Sequence, residues 1–255
     1  MSDRHILTVP ATVAILVVAA GLGWVRPSLV PVAPAAAAGA RVAVAPVPAA
    51  APVAADPGPL QGIDVSHFQG TIDWARVSGA GMRFAYAKAT EGITYVDPAF
   101  AANAAGASAQ GLPFGGYHFF RPNDDPVRQA EHFLKNVTVG SGSLPPALDV
   151  EVAAASGIDL AADVAAWVAH VAEATGCTPL VYANRTFWER ALAADAGASR
   201  VWLAEYAAEV RLPGGVRSWV IWQHSDKGRV PGIDGTVDLD RFGGGASALQ
   251  QVLCS

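Results

Sequence analysis

The residues best able to do chemistry stand together in Leu148-Asp149-Val150-Glu151, near the end of the stretch Ser143–Val152. Leu148, Val150 and Val152 alternate with Asp149 and Glu151, the pattern of a short strand. Side chains two apart on a strand share a face. Both carboxylates therefore point the same way, roughly 6–7 Å apart at the backbone. With an effective dielectric near 20, like charges at that distance repel by about 2–3 kcal/mol, or about two pKa units. One carboxyl of such a pair keeps its proton towards neutral pH while the other ionises. An acid and a base in one site are what cleavage of a glycosidic bond requires. The competing structural reading is the solvated face of an edge strand, and the pair alone does not separate the two.

The elements that must position this pair alternate along the chain. Strand signals fall at Gln61–Ser66, Arg83–Ala89, Phe114–Phe120, the stretch carrying the pair, Pro179–Ala183, Val201–Ala204, Trp219–Gln223 and Thr236–Leu239. Helices are predicted at Ile72–Gly79, at Asp97–Ala109 with Gly111 as its stop, and after Asp125-Pro126 with the stripe Val127, Ala130, Leu134 and Val137. Asp159–Thr175 is the clearest, with Leu160, Val164, Trp167, Val168 and Val171 on one face and Gly176 closing it. A further helix is expected over Arg185–Ala194. Strand–helix alternation followed by three strands with little helix predicts the α/β class: a parallel, TIM-like, eight-stranded barrel with fewer than eight helices and an irregular last third.

In such barrels chemistry gathers at the C-terminal ends of the strands. Asp64, Asp149 and Glu151 lie at strand ends, and Asp238 lies on the eighth strand. Tyr117, Tyr182 and Trp222 sit near the ends of three others. Acids ringed by aromatics describe a sugar cleft, although core packing is the competing role for any single aromatic.

Met1–Arg26 contains Ile6–Val25, 20 residues without a charge, about the length that spans a bilayer. It reads as a signal peptide or as an uncleaved membrane anchor, and either exports the downstream chain. Residues 27–59 are almost only Ala, Pro, Val and Gly. This composition buries no core and favours an extended spacer, reaching roughly 100 Å at about 3.1 Å per residue. Residues 60–255 form the domain. The membrane is expected as a partner only through the N-terminal segment. A net charge of −5 without basic runs excludes nucleic acid.

No Cys-x-x-Cys or Cys/His cluster is present, so neither a metal nor a cofactor is expected. Cys177 and Cys254 are the two cysteines, and export makes a disulfide the expectation over two free thiols. The C-terminal tail would have to cross the N-terminal face of the barrel to make it. Gly243–Gly245 and a short helix over Ala246–Val252 give the tail that length.

The motifs Gly62-Ile-Asp-Val-Ser-His-Phe-Gln-Gly70 with Asp73-Trp74, Ala87-Lys-Ala-Thr-Glu-Gly92, Gly116-Tyr-His-Phe119, Leu148-Asp-Val-Glu151, Trp222-Gln223 and Val237-Asp-Leu-Asp-Arg-Phe242 succeed one another over residues 61–242. Together they resemble glycoside hydrolase family 25. These are lysozymes that cut the β-1,4 bond between N-acetylmuramic acid and N-acetylglucosamine in peptidoglycan. The resemblance implies Glu151 as general acid and Asp149 as the residue that orients the 2-acetamido group. It implies Asp64 and Asp238 as further acids of the cleft, and a retaining, substrate-assisted mechanism. Tyr117, Tyr182, Trp222, Gln223, Lys88 and Glu91 are the implied substrate contacts. Peptidoglycan strands are the implied partner of an exported monomer. Asp240 stands where many relatives carry Asn, and would face the same side as Asp238. The alternatives are a catalytically silent peptidoglycan-binding module of the same fold and a chitinase-like hydrolase, since that class also places Asp-x-Glu on a barrel strand.

Overall fold

The computed structural model describes residues 58–192 and 200–255, together with the backbone of Val42–Ala43. Eight strands close into a barrel: β1 (Leu60–Val65), β2 (Phe84–Glu91), β3 (Phe114–Phe119), β4 (Ala147–Asp149), β5 (Leu180–Asn184), β6 (Val201–Ala204), β7 (Ile221–Gly228) and β8 (Val237–Phe242). Pairing runs in chain order from β1 to β7, and β8 lies between β7 and β1. Strands β1 to β7 run parallel, whereas β8 is antiparallel to both neighbours. This corrects the expectation of an all-parallel barrel. A parallel return needs a crossover of a dozen or more residues, and Arg229–Thr236 between β7 and β8 is too short for one. Asp238 therefore enters the site from the start of its strand.

Helices α1 (Trp74–Gly79), α2 (Phe100–Ala109), α3 (Pro126–Asn136), α4 (Leu160–Thr175), α5 (Arg185–Ala191) and α6 (Ala246–Val252) complete the domain. Their starts are fixed locally. Asp73, Asp125, Asp159 and Asn184 each accept a backbone N–H of the first turn, and Gly176 closes α4 in the left-handed conformation at φ 69°. The expected fifth helix reaches Ala191, and Ala193–Ala194 lie outside the described residues. The sequence did not announce a one-turn 3-10 helix, His67–Gln69, held by a reciprocal cap between Ser66 and Gln69. Nor did it announce the two-residue strand Tyr95–Val96 against the end of β2.

Strand alternation sorts the core into two layers. Ile63, Val65, Ala85, Ala87, Ala89, Leu148, Val181 and Leu203 face outwards against the helices, where they meet Trp74, Phe100, Phe133 and Trp167. Leu60, Phe84, Tyr86, Ala147, Leu180, Trp202, Ile221 and Phe242 fill the barrel interior. Gly62 and Gly115 are part of this packing. A Cβ on Gly62 would run into the Phe84 ring, and one on Gly115 into Tyr86. The interior is thus full at its lower end, and only the end formed by Asp64, Lys88, Asp149 and Asp238 opens.

Within the stretch read as a spacer, Val42–Ala43 pairs in parallel with Val137–Thr138. At least these two residues lie along the domain. The rest of the apolar segment and spacer, residues 1–41 and 44–57, lie outside the described residues. No helix among the described residues is long and apolar enough to cross a membrane.

Cys177 and Cys254 are joined by a disulfide, with Cα atoms 5.4 Å apart and a sequence separation of 77. Cys177 precedes β5, at the end opposite the open mouth. The tail is fixed there by Cys254 N–H to Ser143 O at 2.9 Å and by Gly142 N–H to Cys254 O at 2.9 Å. Closing such a loop stabilises by about 4–5 kcal/mol in the chain-entropy model. Removing the bridge by Cys177→Ser with Cys254→Ser should therefore lower the melting temperature markedly while leaving activity at low temperature intact. An unchanged melting temperature in calorimetry would contradict a structural role for the bridge.

Candidate active site

The open end of the barrel holds a cleft of about 360 Å³, with walls that include Ser66, Phe68, Lys88, Tyr117, Phe119, Asp149, Glu151, Tyr182, Tyr206, Asp226 and Asp238. Every parallel strand that points a polar residue into it does so from its C-terminal end. Asp149 is the last residue of β4, and Glu151 comes two residues later. The strand is shorter than the sequence suggested, but Val150 N–H still bonds Tyr182 O at 2.9 Å, so the alternation continues and both carboxyls face the cleft. Asp149 is 9% exposed, and its Oδ1 has no hydrogen-bond partner among the described residues. Glu151 is solvent-reachable on the wall.

The electrostatics follow from burial and crowding. Burial pushes the Asp149 carboxyl well above its ordinary range, and the Glu151 charge pushes it further. Glu151 is raised as well, chiefly by burial, against the opposing pull of the Tyr182 hydroxyl and of Lys88. Asp238 rises to about 6, through burial and then the charges of Asp226 and Glu151. Lys88 is the cation of the wall. Its ammonium pairs with Glu91 and stands 4.7 Å from the centre of the Phe119 ring. These carboxyls titrate as a coupled set that retains protons above the usual carboxylate range.

Asp64 lies just beneath the cleft wall. Its Oδ2 accepts from Gln223 Nε2 at 2.7 Å, and Gln223 Oε1 accepts from the hydroxyls of Tyr182 at 2.9 Å and Tyr206 at 2.8 Å. Tyr182 shares the cleft wall with Glu151, so one side chain is bonded to the floor and borders the acid pair. Burial raises Asp64 well above the ordinary range, with Asp240 and Asp238 adding to it.

Most of the residues singled out from the sequence thus meet: Asp64, Asp149, Glu151, Asp238, Tyr117, Tyr182, Gln223 and Lys88. Asp64 and Gln223 lie beneath the cleft wall, and two others stand apart from this group. Trp222 is a correction. It alternates with the inward-facing Ile221 and Gln223, so it points out of the barrel, where it contacts Trp219, His224 and Arg241. Glu91 lies at the end of β2, bonded to Lys88 and Arg121, and borders an adjoining groove of about 390 Å³. It acts on the cleft through Lys88. Sequence reasoning missed Phe68, Tyr206 and Asp226. Tyr206 lies two residues beyond β6, where the strand-end rule could have found it. Phe68 is 81% exposed on the rim, in the short helix that no periodicity announced. Asp226 sits on the part of β7 beyond its bulge.

Comparison with known proteins agrees with this geometry. The description of glycosyl hydrolases family 25 matches residues 63–233. The chain belongs to this family. It is 36% identical to lysozyme M1 of Streptomyces globisporus over 76% of this chain and 72% of that protein. To the N,O-diacetylmuramidase of a Chalaropsis species it is 32% identical over 70% of this chain and 96% of the relative. The crystal structure of the lysozyme of Streptomyces coelicolor superposes with a TM-score of 0.72 at 34% identity, covering 78% of this chain and 98% of the other. The family match ends before Asp238, whose place in the site rests on its pairing opposite Asp64 in β1.

The raised carboxyls have a consequence for stability. A group whose pKa is higher folded than unfolded binds its proton more tightly in the native state. Its stabilising contribution is complete below the unfolded value and is lost as pH rises through the folded value. For Asp238 and Asp240 that window runs from the ordinary 3.8 up to about 6 and about 7. The melting temperature should therefore be highest in mild acid and fall between about pH 4 and pH 7. A melting temperature that rises over that interval would contradict this electrostatic account.

Proposed function

We propose that this chain is a lysozyme that hydrolyses the β-1,4 bond between N-acetylmuramic acid and N-acetylglucosamine, with Glu151 as general acid. The observation that carries the reading is the pair of carboxyls on one wall of the cleft. Asp149 is buried with one oxygen unpartnered among the described residues, and the neighbouring Glu151 is reachable by a substrate and held above its usual pKa. A proton donor must keep its proton in the working range and reach the leaving oxygen, and Glu151 meets both conditions. Asp149 would take the 2-acetamido N–H on its unpartnered oxygen, as a substrate-assisted cleavage requires. Such a mechanism also removes the need for the fixed separations of two-carboxylate glycosidases. Asp64 and Asp238 would shape the field under the sugar ring as positive charge develops there. Tyr117, Tyr182 and the exposed Phe68 would supply apolar faces for pyranose rings.

Export of the domain accords with the apolar Ile6–Val25, the Ala/Pro-rich spacer and the disulfide. On this reading Met1–Arg26 is a signal peptide or anchor, and the domain faces the cell wall as a monomer.

Glu151→Gln should keep the fold and lower the rate of peptidoglycan hydrolysis by about 10²–10⁴-fold, measured as release of soluble muropeptides. A variant with most of the wild-type rate would overturn the assignment. Asp149→Asn should lower kcat more than it raises KM, since the contact strengthens as the intermediate forms. A chelator should leave the rate unchanged, because every step above is assigned to protein groups or to the substrate. Hydrolysis of chitin oligomers at a rate equal to that on peptidoglycan would favour the chitinase-like alternative.

A further inference from the structure

One buried acid lies below the cleft and has no role in the reaction above. Asp240 is 0% exposed inside the barrel. Its Oδ1 accepts from Trp202 Nε1 at 2.9 Å, and its Oδ2 meets no donor among the described residues. On β8 it stands opposite Gly62, while Asp238 stands opposite Asp64. Asp64 is thus the diagonal neighbour of Asp240, within side-chain reach on the same face. Across that diagonal the two carboxyls face each other, and the unpartnered Oδ2 of Asp240 can accept a proton from Asp64. Two carboxylates cannot bond without a proton between them, because each is only an acceptor when ionised. Neither carboxyl is in an ion pair among the described residues. Two buried, uncompensated charges at contact would be strongly unfavourable.

We propose that Asp240 is a positioning residue that locks Asp64 by sharing one proton between the two carboxyls. The lock continues through Asp64 to Gln223, and from Gln223 to the hydroxyls of Tyr182 and Tyr206. Tyr182 then borders Glu151. A single proton at the floor thereby fixes the side chains against which the acid wall is set. Each element around the pair bears on it. Asp238 on β8 adds negative charge. Gln223 on β7 and Trp202 on β6 each donate one hydrogen bond. Tyr86 on β2 donates its hydroxyl to Pro145 O at 3.0 Å and so leaves the pair to itself. Arg200 donates to Val252 O at 3.1 Å and forms an ion pair with neither carboxyl among the described residues. Tyr117 on β3 and Tyr206 beyond β6 face Asp64 from the cleft side. The contact raises Asp64 and lowers Asp240, which burial nonetheless lifts to about 7, as expected if Asp64 carries the shared proton and Asp240 accepts it. When that proton leaves to solvent, the bond between the carboxyls is lost and the floor carries two charges.

Asp240→Asn tests this directly. Its amide can accept from Trp202 and donate permanently to Asp64, so it keeps the lock and removes the titration. Asp240→Ala removes both. At about pH 5 the Asn variant should retain activity within a few-fold of wild type, while the Ala variant loses at least about tenfold in kcat with little change in KM. Between pH 5 and pH 8 the ratio of kcat for the Asn variant to wild type should rise, as the wild-type pair gives up protons that the amide does not need. The melting temperature of the Asn variant relative to wild type should rise over the same interval. A kcat ratio and a melting-temperature difference that both stay flat from pH 5 to pH 8 would overturn the proposal. The kinetic arm rests on the lysozyme reading, whereas the thermal arm does not. If the wild type proves inactive on peptidoglycan, the pH dependence of the melting difference alone decides for or against the shared proton.

Discussion

The site is governed by the crowding of like charges at the one open end of a closed barrel. Asp64, Asp149, Glu151, Asp226, Asp238 and Asp240 all lie on or beneath one cleft, and Lys88 is the cation on its wall. Burial in such a space disfavours ionisation, and each additional carboxylate disfavours it further. Much of the surrounding structure can be understood as holding these groups in place. Gln223 bridges Asp64 to two tyrosines. Trp202 anchors Asp240. Glu91 and Arg121 restrain Lys88 from the neighbouring groove. The proton that a glycosidase needs at mildly acidic pH then results from geometry, without an unusual chemical group.

The barrel makes this crowding possible. Its lower interior is filled by Phe84, Tyr86, Trp202 and Phe242, so inward-facing polar residues can collect only at the mouth. The antiparallel β8 contributes in its own way. Because it runs downward from the mouth, Asp238 and Asp240 stack one below the other beside Asp64. The first faces the cleft and the second is sealed beneath it.

The sequence made the fold legible wherever one period dominated. The stripe of α4 and the alternation of β1 and β2 were plain, and so was the acid pair, because the strand period dictates that Asp149 and Glu151 share a face. Trp222 shows the limit of the same rule. A residue's closeness to a strand end says nothing about which face it takes until a neighbour fixes the phase, and here Gln223 takes the inner one. The direction of β8 was hidden because a short connection tells on geometry and not on composition. Phe68 and Asp226 belong to a one-turn helix and a bulged strand, where no periodicity operates. The depth of Asp240 could not be read either. An acid two residues beyond Asp238 faces inwards in any strand, but its burial depends on the packing of Trp202 and Tyr86 from distant parts of the chain.

The central claim is that this cleft cleaves after the muramic acid residue of peptidoglycan. Mass spectrometry of the fragments released from defined peptidoglycan by the purified domain measures that most directly. The expected products carry N-acetylmuramic acid at their new reducing ends. New reducing ends at N-acetylglucosamine, or no cleavage of the glycan by the intact wild-type protein, would contradict it.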